Sequence, residues 1–296
     1  MIVSVSRRTD IPAYFSDWFF NRIKEGYVLV RNPRNFRRIS RILLRPDEVD
    51  GFVFWTKNPA PMIRRLNELQ EYRYYFQFTI TPYGEDIEPN IPCKSLDGIS
   101  AFKEISRLIG ANRLVWRYDP ILINAKYTVC YHERAFAKIA SELREFTNKV
   151  TISFVDTKYR GLKSNIGKLG LYDFPADAKR ELAKALADIS RDCGIKIEIC
   201  AEKMDLREYG ITPASCIDGS LLSTFLVHKS DKNQRPECDC TQSVDIGMYN
   251  SCLGGCLYCY ANYGRWLAAK HYPDSPLLLG SVGPCDKVFL RTTTKT

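Results

Sequence analysis

The stretch GFVFWTKNP, residues 51–59, decides the fold that the sequence predicts. Its first part, Gly51–Thr56, is rich in aromatic and β-branched residues, which is typical of a short strand buried on both faces. Polar residues follow at once, as they do where a strand leaves the core. Five further segments show the same pattern. They are Ile2–Ser6, Tyr74–Ile80, Arg113–Tyr118, Val150–Val155 and Lys196–Cys200.

Helical patterns separate these predicted strands. The clearest is ADAKRELAKALADISRD, residues 176–192, which places Leu182, Leu186 and Ile189 on one face. Strands that alternate with helices pair in parallel through right-handed crossovers. The sequence therefore predicts an α/β fold, a (β/α) barrel of about six units that is either partial or closed. The other predicted helices are Ser16–Glu25, Pro61–Glu71, Gly98–Leu108 and Glu133–Phe146.

The pattern changes after Glu202, which suggests how the chain is organised. We predict that residues 1–202 form the βα units and that residues 203–296 form a cysteine-rich region packed on the same barrel. That region contains two predicted helices, one near Leu221–Val227 and one over Asn262–His271. Residues 27–44 interrupt the alternation of strands and helices, and we predict that they form an insertion.

The cysteine content has to be interpreted together with the expected cellular compartment. The start, MIVSVSRRTDIP, lacks the apolar core of a signal peptide, and no segment reaches the ~18 apolar residues of a membrane span. We therefore expect a cytoplasmic protein, where eleven cysteines indicate metal or redox chemistry rather than disulfides. The scattered cysteines are expected to be small buried side chains. They are Cys93, Cys130, Cys193 and Cys200.

The chain is basic, with a net charge of +9. Such a surplus favours anionic partners, nucleic acid among them. Two interpretations of the densest arginine group stay open, a solvated basic face and a surface that tracks phosphates. The group consists of Arg7, Arg8, Arg31, Arg34, Arg37, Arg38, Arg41 and Arg45.

The motif Cys252-Leu-Gly-Gly-Cys256-Leu-Tyr-Cys259 carries the strongest functional signal. Three thiolates at C-x3-C-x2-C spacing can bind three irons of a [4Fe–4S] cluster, and the two glycines let the backbone curl around it. The fourth iron then stays open for a small molecule, as in a catalytic cluster. Structural zinc is the alternative, although zinc more often takes paired C-x2-C units.

Together with Tyr258 and Tyr260, this motif resembles the cluster motif of radical S-adenosylmethionine enzymes, most closely the spore photoproduct lyase-like branch. In that superfamily the motif lies near the N-terminus, so the resemblance implies a circularly permuted chain. The strand ends at Thr9-Asp10, Thr56-Lys57 and Phe78-Thr79 follow in the order of that branch. The whole chain also resembles the DUF1848 family.

The resemblance implies that Cys252, Cys256 and Cys259 ligate iron, and that Tyr258 and Tyr260 flank the cluster on the adenine side of S-adenosylmethionine. Further roles fall on polar residues at strand ends, each of which has the alternative role of a cap or a salt bridge. Lys57 would pair with the methionine carboxylate, Thr79 would bond the ribose or methionine part, and Thr9 and Asp10 would hold the amino group.

The implied activity is reductive cleavage of S-adenosylmethionine to a 5′-deoxyadenosyl radical, which abstracts hydrogen from a substrate. It requires an external one-electron donor of the flavodoxin or ferredoxin type. Nucleic acid, a peptide and a small metabolite are all candidate substrates, and the reaction class (lyase, transferase or oxidoreductase) stays open. Cys200, at a strand end, is a candidate hydrogen donor to a substrate radical as well as a candidate core residue.

A second group of cysteines precedes the motif. Cys216, Cys238 and Cys240 can hold a second iron–sulfur cluster or a zinc ion, with free thiols as the alternative. The three histidines have no metal-binding spacing, and we predict surface or helix positions for them. They are His132, His228 and His271.

Two other functions compete with the enzyme. The first is a non-catalytic nucleic-acid-binding protein that contains zinc or an iron–sulfur cluster, which the basic stretch would serve. The second is a barrel electron carrier, which would take up iron without binding S-adenosylmethionine.

Overall fold

The structure is a computed structural model, and it describes residues 1–92, 97–159, 162–163, 165–223, 229–231, 234–235, 237–263 and 270–291. Cys93 and His228 lie outside these ranges, as do parts of the predicted helices at 221–227 and 262–271. Within the described residues, no helix combines the length and the apolar character that crossing a bilayer demands.

An eight-stranded parallel sheet forms the centre of the molecule. All six predicted strands belong to it, as β1, β4, β5, β6, β7 and β8, and two short strands, β9 and β10, extend its edges. The predicted α/β fold on a parallel sheet is therefore confirmed. The strands are β1 Ile2–Val5, β2 Tyr27–Asn32, β3 Asn35–Leu43, β4 Gly51–Thr56, β5 Tyr74–Thr79, β6 Leu114–Ile121, β7 Lys149–Phe154, β8 Lys196–Ile199, β9 Thr212–Pro213, β10 Ser243–Asp245 and β11 Lys287–Leu290.

The hydrogen-bonded order of the large sheet is β10-β1-β4-β5-β6-β7-β8-β9. Every adjacent pair in this order is parallel. Within the described part of the chain, the order ends at β10 on one side and at β9 on the other, without a pairing that joins them. All carboxyl ends of these strands therefore lie along one edge of the sheet.

Both faces of the sheet are buried, which explains the continuous apolar runs in its strands. Phe52 and Phe54 point into the large core formed with the helices, whereas Val53 points into a smaller core on the opposite face. That opposite face also carries Tyr75 and Val115 and is covered by residues of the segment 214–222 and by Cys240. The C-terminal region thus packs directly on the sheet.

Helices connect the strands and cover the large core. Ser16–Glu25 and Ala176–Asp192 are found with the predicted bounds. One prediction is wrong, because Pro61–Glu71 is a single helical turn followed by a 3₁₀ turn at Leu66–Leu69. Met62, Leu66 and Leu69 are nevertheless buried, so the apolar spacing was informative although the helix is broken. The helices are α1 Ile11–Tyr14, α2 Ser16–Glu25, α3 Ala60–Ile63, α4 Asp97–Ile109, α5 Val129–Leu143, α6 Ile166–Leu169 and α7 Ala176–Asp192.

Residues 27–44 fold as an antiparallel hairpin, β2 and β3, to which β11 adds in parallel. Arg31 of this second sheet pairs with Asp286 at 2.8 Å. Most of the predicted arginine group lies on the exposed part of the hairpin. The exposed members are Arg34, Arg37, Arg38, Arg41 and Arg45.

The prediction that the scattered cysteines are buried needs correction. Cys130 is exposed, because it lies on the solvent side of α5, and Cys193 and Cys200 are only half-buried. His132 lies on α5, which agrees with the predicted helix position, and its side chain is fully buried. Its Nε2 lies 2.9 Å from the carbonyl oxygen of Leu122 and its Nδ1 lies 2.8 Å from the Tyr118 hydroxyl.

Candidate functional site

The cysteine motif begins shortly after β10, the strand that pairs with β1 at the edge of the large sheet. Because the carboxyl ends of parallel strands meet at one edge, the loop 247–261 lies beside the residues that follow β1 and β4. The structure thus brings together segments from opposite ends of the chain. These are the segment after β1, which holds Thr9 and Asp10, and the loop that holds Cys252, Cys256 and Cys259.

Asp245, the last residue of β10, ties this strand to the segment after β1. Its carboxylate accepts hydrogen bonds from the Ser4 and Ser6 hydroxyls at 3.0 and 2.6 Å, and from the Arg7 backbone N–H at 2.8 Å. Gly247 follows closely, and a Cβ there would lie 2.1 Å from Oγ of Ser6. Only a glycine fits this approach, so the entry into the cysteine loop is tightly determined.

Thr9 and Asp10 are largely occupied by contacts within the protein. The Thr9 hydroxyl lies 2.5 Å from the Ser251 hydroxyl, next to the first cysteine of the motif. One oxygen of the Asp10 carboxylate caps α1 by accepting from Ala13 N–H at 3.0 Å, and the other accepts from Lys57 N–H at 2.7 Å. Both side chains therefore hold backbone segments in place. This corresponds to the alternative role, that of a cap, which the sequence analysis gave for polar residues at strand ends.

The three thiols of the motif lie in poorly solvated positions with backbone N–H groups directed at two of them. Burial raises the pKa of Cys252 to about 12, although N–H groups of Asp10 and Gly254 donate to its sulfur. Burial also raises the pKa of Cys256 and of Cys259, and the charge of Lys57 opposes both shifts. Buried thiolates need a cation to be stable, and N–H···S bonds are usual around iron–sulfur clusters. The donor set therefore fits a thiolate-bound metal cluster.

The loop is held in a curled path by its glycines and by the segment 84–91. Gly255 has φ +64°, a left-handed conformation that favours glycine. A Cβ on Gly254 would lie 3.0 Å from the side chain of Ile91. Asn90 donates to the carbonyl oxygen of Leu253 at 2.9 Å, and Leu257 N–H donates to Ile87 at 2.9 Å. The cysteines are thus fixed by contacts on both sides.

A buried ion pair lies next to the loop. Nζ of Lys57 contacts Oε1 of Glu88 at 2.9 Å, and the Thr81 hydroxyl donates to the same oxygen at 2.7 Å. The Tyr258 hydroxyl also donates to this carboxylate. Lys57 lies 5.6 Å from the centre of the Tyr258 ring. A small cleft lined by Lys57, Thr79, Thr81 and Glu88 opens here, so the structure brings Thr79 to the same place as Lys57.

The electrostatics of the pair favour two charged groups despite their burial. Burial opposes ionisation of Glu88, but the Lys57 charge and hydrogen bonds from Tyr258, Lys57 and Thr81 outweigh it, so the Glu88 pKa is lowered. Burial likewise disfavours the charged form of Lys57, but Glu88 and Cys256 outweigh it, so the Lys57 pKa is raised. The cleft therefore presents a cation and an anion side by side.

The second motif tyrosine has different surroundings. The Tyr260 hydroxyl donates to the carbonyl oxygen of Arg7 at 2.9 Å, and its ring stacks on Tyr159 with 5.2 Å between ring centres. Its side chain is 38% exposed, whereas Tyr258 is directed inward to Glu88. The two tyrosines of the motif thus lie on different sides of the loop.

The second set of cysteines, Cys216, Cys238 and Cys240, lies on the face of the sheet opposite to the large core and its helices. Cys216 and Cys240 are buried and Cys238 is half-buried. Cys200, at the end of β8, joins them, with its sulfur 3.1 Å from that of Cys216. The structure therefore gathers these four residues, whereas Cys285 is exposed. Among the described residues, no group of three or more His, Cys, Asp or Glu side chains is arranged as a ready cage for a single metal ion.

Several residues of the site were missed in the sequence. Glu88 lies in the loop PYGEDIEPN, where three acidic residues occur and nothing in the pattern distinguishes them. Asp245 was easier to find in the sequence, since it follows the apolar Val244 and lies seven positions before Cys252. The three-residue strand that carries it is too short for a clear apolar pattern.

A family model described as "Domain of unknown function (DUF1848)" matches residues 2–261, which include the whole cysteine motif and the sheet from β1 to β10. Among curated proteins, no sequence matches the chain.

Proposed function

The chain belongs to the DUF1848 family, and on that premise we propose that it is a radical S-adenosylmethionine enzyme with a [4Fe–4S] cluster on Cys252, Cys256 and Cys259. The observation that carries this proposal is the position of the cysteine loop. The loop follows a strand paired in parallel with β1, and its cysteines lie beside the buried Lys57–Glu88 pair at the carboxyl edge of the sheet.

The order of the strands supports a permuted, partial barrel. If the segment that holds β10 and the cysteine loop were placed before β1, the strands β10, β1, β4, β5, β6, β7 and β8 would follow in the same order in sequence and in space, with the β2–β3 hairpin as an insertion between β1 and β4. Neighbouring strands that are consecutive along the chain are the arrangement expected of a βα barrel. The cysteine loop would then follow the first strand, as it does in the superfamily that the motif resembles.

The Lys57–Glu88 pair supports recognition of an amino acid group. A methionine moiety has one carboxylate and one ammonium at its α-carbon, and each needs an opposite charge when it is desolvated. Lys57 is positioned to bind the carboxylate and Glu88 to accept from the ammonium. Thr79, in the same cleft, can bond the ribose or methionine part. Glu88 thereby supplies an acceptor for the ammonium group. Thr9 and Asp10 are less suited to this role, since their side chains already form hydrogen bonds with backbone groups.

When bound, the cluster and S-adenosylmethionine supply a one-electron cleavage that gives methionine and a 5′-deoxyadenosyl radical. The chain's own residues orient and protect this chemistry. Tyr258 holds Glu88 in place through its hydroxyl and places its ring beneath Lys57. Asn90 and Ile87 fix the loop from one side, and Thr9 fixes it through Ser251 from the other. This framework holds the three thiols in partly buried positions.

Partners follow from the same proposal. The electron comes from an external one-electron donor of the flavodoxin or ferredoxin type. Nucleic acid is the proposed substrate class, because the exposed hairpin of the second sheet carries Arg34, Arg37 and Arg38 together with the exposed Phe36. Exposed arginine and aromatic side chains in one segment suit a single strand, which such side chains bind by charge and stacking.

Anaerobic reconstitution with iron and sulfide tests the enzyme proposal. We expect wild-type protein, reduced with dithionite in the presence of S-adenosylmethionine, to form 5′-deoxyadenosine, measured by chromatography and mass spectrometry. Cys256→Ala should abolish this product, because it removes one of three iron ligands. The matched control is Cys130→Ala, which alters an exposed cysteine far from the motif in sequence and should leave the yield unchanged.

A reconstituted protein that holds four irons, is reduced and never cleaves S-adenosylmethionine would contradict the enzyme proposal and favour an electron carrier. A colourless protein with stoichiometric zinc and affinity for nucleic acid would favour the non-catalytic alternative.

A further inference from the structure

Four cysteine sulfurs form two contacting pairs on the face of the large sheet opposite to the helices. Sγ of Cys200 lies 3.1 Å from Sγ of Cys216, and Sγ of Cys238 lies 3.0 Å from Sγ of Cys240. Cys216 and Cys240 also interact electrostatically, and both pack in the same small core, so the two pairs form one group. The fold thus adds Cys200, from the end of β8, to the three cysteines of the C-terminal region.

We propose that Cys200, Cys216, Cys238 and Cys240 bind one thiophilic divalent metal ion, zinc or iron(II), through four thiolates. This site is separate from the proposed cluster loop and does not depend on the activity proposed for that loop. Binding displaces the protons of the thiols, so the ion is bound by thiolate sulfur alone.

The distances favour a single ion over a cubane. Tetrahedral zinc with Zn–S bonds of about 2.3 Å places its sulfurs about 3.8 Å apart. The contacts of 3.0 and 3.1 Å must therefore open by less than about 1 Å, and the two cysteine pairs must close around the ion. A cubane binds each cysteine to a different iron and would need the four sulfurs much farther apart.

The surrounding charges suit four thiolates. One divalent ion leaves such a site with a net negative charge, which buried surroundings tolerate only near cations. Nη1 of Arg117 lies 3.2 Å from Sγ of Cys216, and this arginine is itself 5% exposed and held by Gln77 and Asp119. Arg7 interacts electrostatically with Cys238 and Cys240, and Arg235 with Cys200 and Cys238. Arg117 therefore contacts the sulfurs directly, and two further arginines add positive charge to their surroundings.

The backbone around the sulfurs is also arranged for thiolates. Ile217 N–H points to Sγ of Cys240 at 3.4 Å, a type of bond that stabilises bound thiolate. The carbonyl oxygen of Cys216 accepts from the Tyr75 hydroxyl at 3.0 Å and from the Gln77 amide at 2.9 Å, so this segment is anchored on the sheet. An ion here would join β8, the segment 214–217 and the loop before β10.

Metal analysis in a background without the first loop's cysteines isolates this site. The background protein, Cys252→Ser/Cys256→Ser/Cys259→Ser, is expected to purify with about one metal ion per chain, measured by inductively coupled plasma mass spectrometry, which also distinguishes zinc from iron. Adding Cys200→Ser or Cys216→Ser should remove that ion. The matched control, Cys130→Ser in the same background, should retain it.

Differential alkylation of wild-type protein provides a readout that does not depend on the folding of variants. The half-buried Cys200 and Cys238 should react with iodoacetamide many-fold faster after chelation than before it, while the exposed Cys130 reacts equally in both states. A background protein without bound metal that also fails to bind added cobalt(II) would overturn the proposal. Full metal retention in Cys200→Ser, or a mass that reveals two disulfides among these cysteines, would also overturn it. These outcomes are separate from the 5′-deoxyadenosine assay, so either proposal can fail alone.

Discussion

The Lys57–Glu88 pair has the buried geometry in which the loss of one partner is costly. Glu88 is 1% exposed and Lys57 14% exposed at the side chain. Removing the cation leaves a buried carboxylate with hydroxyl donors but without a compensating charge. Removing both charges takes away the need for compensation, so the double variant is expected to be milder than the single one.

We therefore expect Lys57→Met to lower the free energy of unfolding in urea by about 3 kcal/mol. Lys57→Met/Glu88→Gln should recover at least about half of this loss. The matched control is Lys126→Met, which breaks the exposed pair with Asp86 and should cost less than about 1 kcal/mol. Equal losses in Lys57→Met and Lys126→Met would contradict the buried role.

His132 makes stability depend on pH through a neutral, buried ring. Because Leu122 offers only a carbonyl oxygen, Nε2 carries the proton and Nδ1 accepts from the Tyr118 hydroxyl. Burial lowers the His132 pKa to about 4, against the hydrogen bond to Leu122. In the unfolded chain, the His132 side chain binds a proton near pH 6.5. In the folded chain, it does so only near pH 4. This histidine therefore destabilises the fold progressively as the pH falls from 6.5 to 4.

In His132→Gln, the free energy of unfolding should fall less over this range than in wild type. The difference between the two proteins should change by about 3 kcal/mol from pH 6.5 to pH 4, measured by urea unfolding at each pH. Comparison with wild type at the same pH removes the contribution of the other titrating groups. Parallel pH profiles for the two proteins would show that His132 does not titrate in this way.

Among the structural elements, β10 does most to define the candidate site, although it has only three residues. It pairs with β1 and directs the chain through Gly247 into the cysteine loop. The close approach of Gly247 to Ser6 leaves no room for a side chain. A methyl group there must push the loop away from β1.

Gly247→Ala is expected to lower the free energy of unfolding by about 1–3 kcal/mol, because its Cβ would overlap with Ser6. The variant should also retain less iron after reconstitution, measured by colorimetric iron analysis. Gly167→Ala in α6 is the control, since a Cβ there meets nothing within 4 Å. If Gly247→Ala had the same iron content and stability as Gly167→Ala, the close contact between Gly247 and Ser6 would be contradicted.

At this scale the sequence predicted the central strands well and the edges poorly. Runs such as Gly51–Thr56 are buried on both faces, so their apolar composition alone identifies them. β9 and β10 have two and three residues, and long-range pairing rather than local pattern makes them strands. The three cysteines of the motif could be identified by their spacing. The role of Glu88 and the contact between Cys200 and Cys216 could not be identified from the sequence, because both depend on contacts between distant parts of the chain.

The whole molecule has an uneven distribution of positive charge. The net charge is +9, and the hairpin of β2 and β3 presents arginines to solvent, whereas Arg7 lies among acidic partners such as Asp245. Unpaired exposed arginines contribute to polyanion binding through release of counterions. The hairpin should therefore dominate any affinity for nucleic acid.

Binding of a labelled single-stranded oligonucleotide, followed by fluorescence anisotropy across a salt series, checks this expectation. Arg37→Gln/Arg38→Gln should weaken binding several-fold and reduce the slope of log K against log salt by about 1–2. Lys184→Gln/Arg191→Gln removes the same charge from exposed positions of α7 and is the matched control. Equal weakening by both variants would indicate that net charge rather than the hairpin governs binding.

The pairing of β1 with β10 also sets the timing of assembly on the ribosome. Ser4 and Asp245, which hydrogen-bond across this pair, are 241 positions apart, so synthesis separates their emergence by roughly 10–50 s. Throughout that interval the first strand of the nascent chain has one unpaired edge, and the thiols that would receive iron have not yet been made. Any factor that delivers a cluster to the proposed site would therefore act only after residues 252–259 have been synthesised, when β10 can pair with β1.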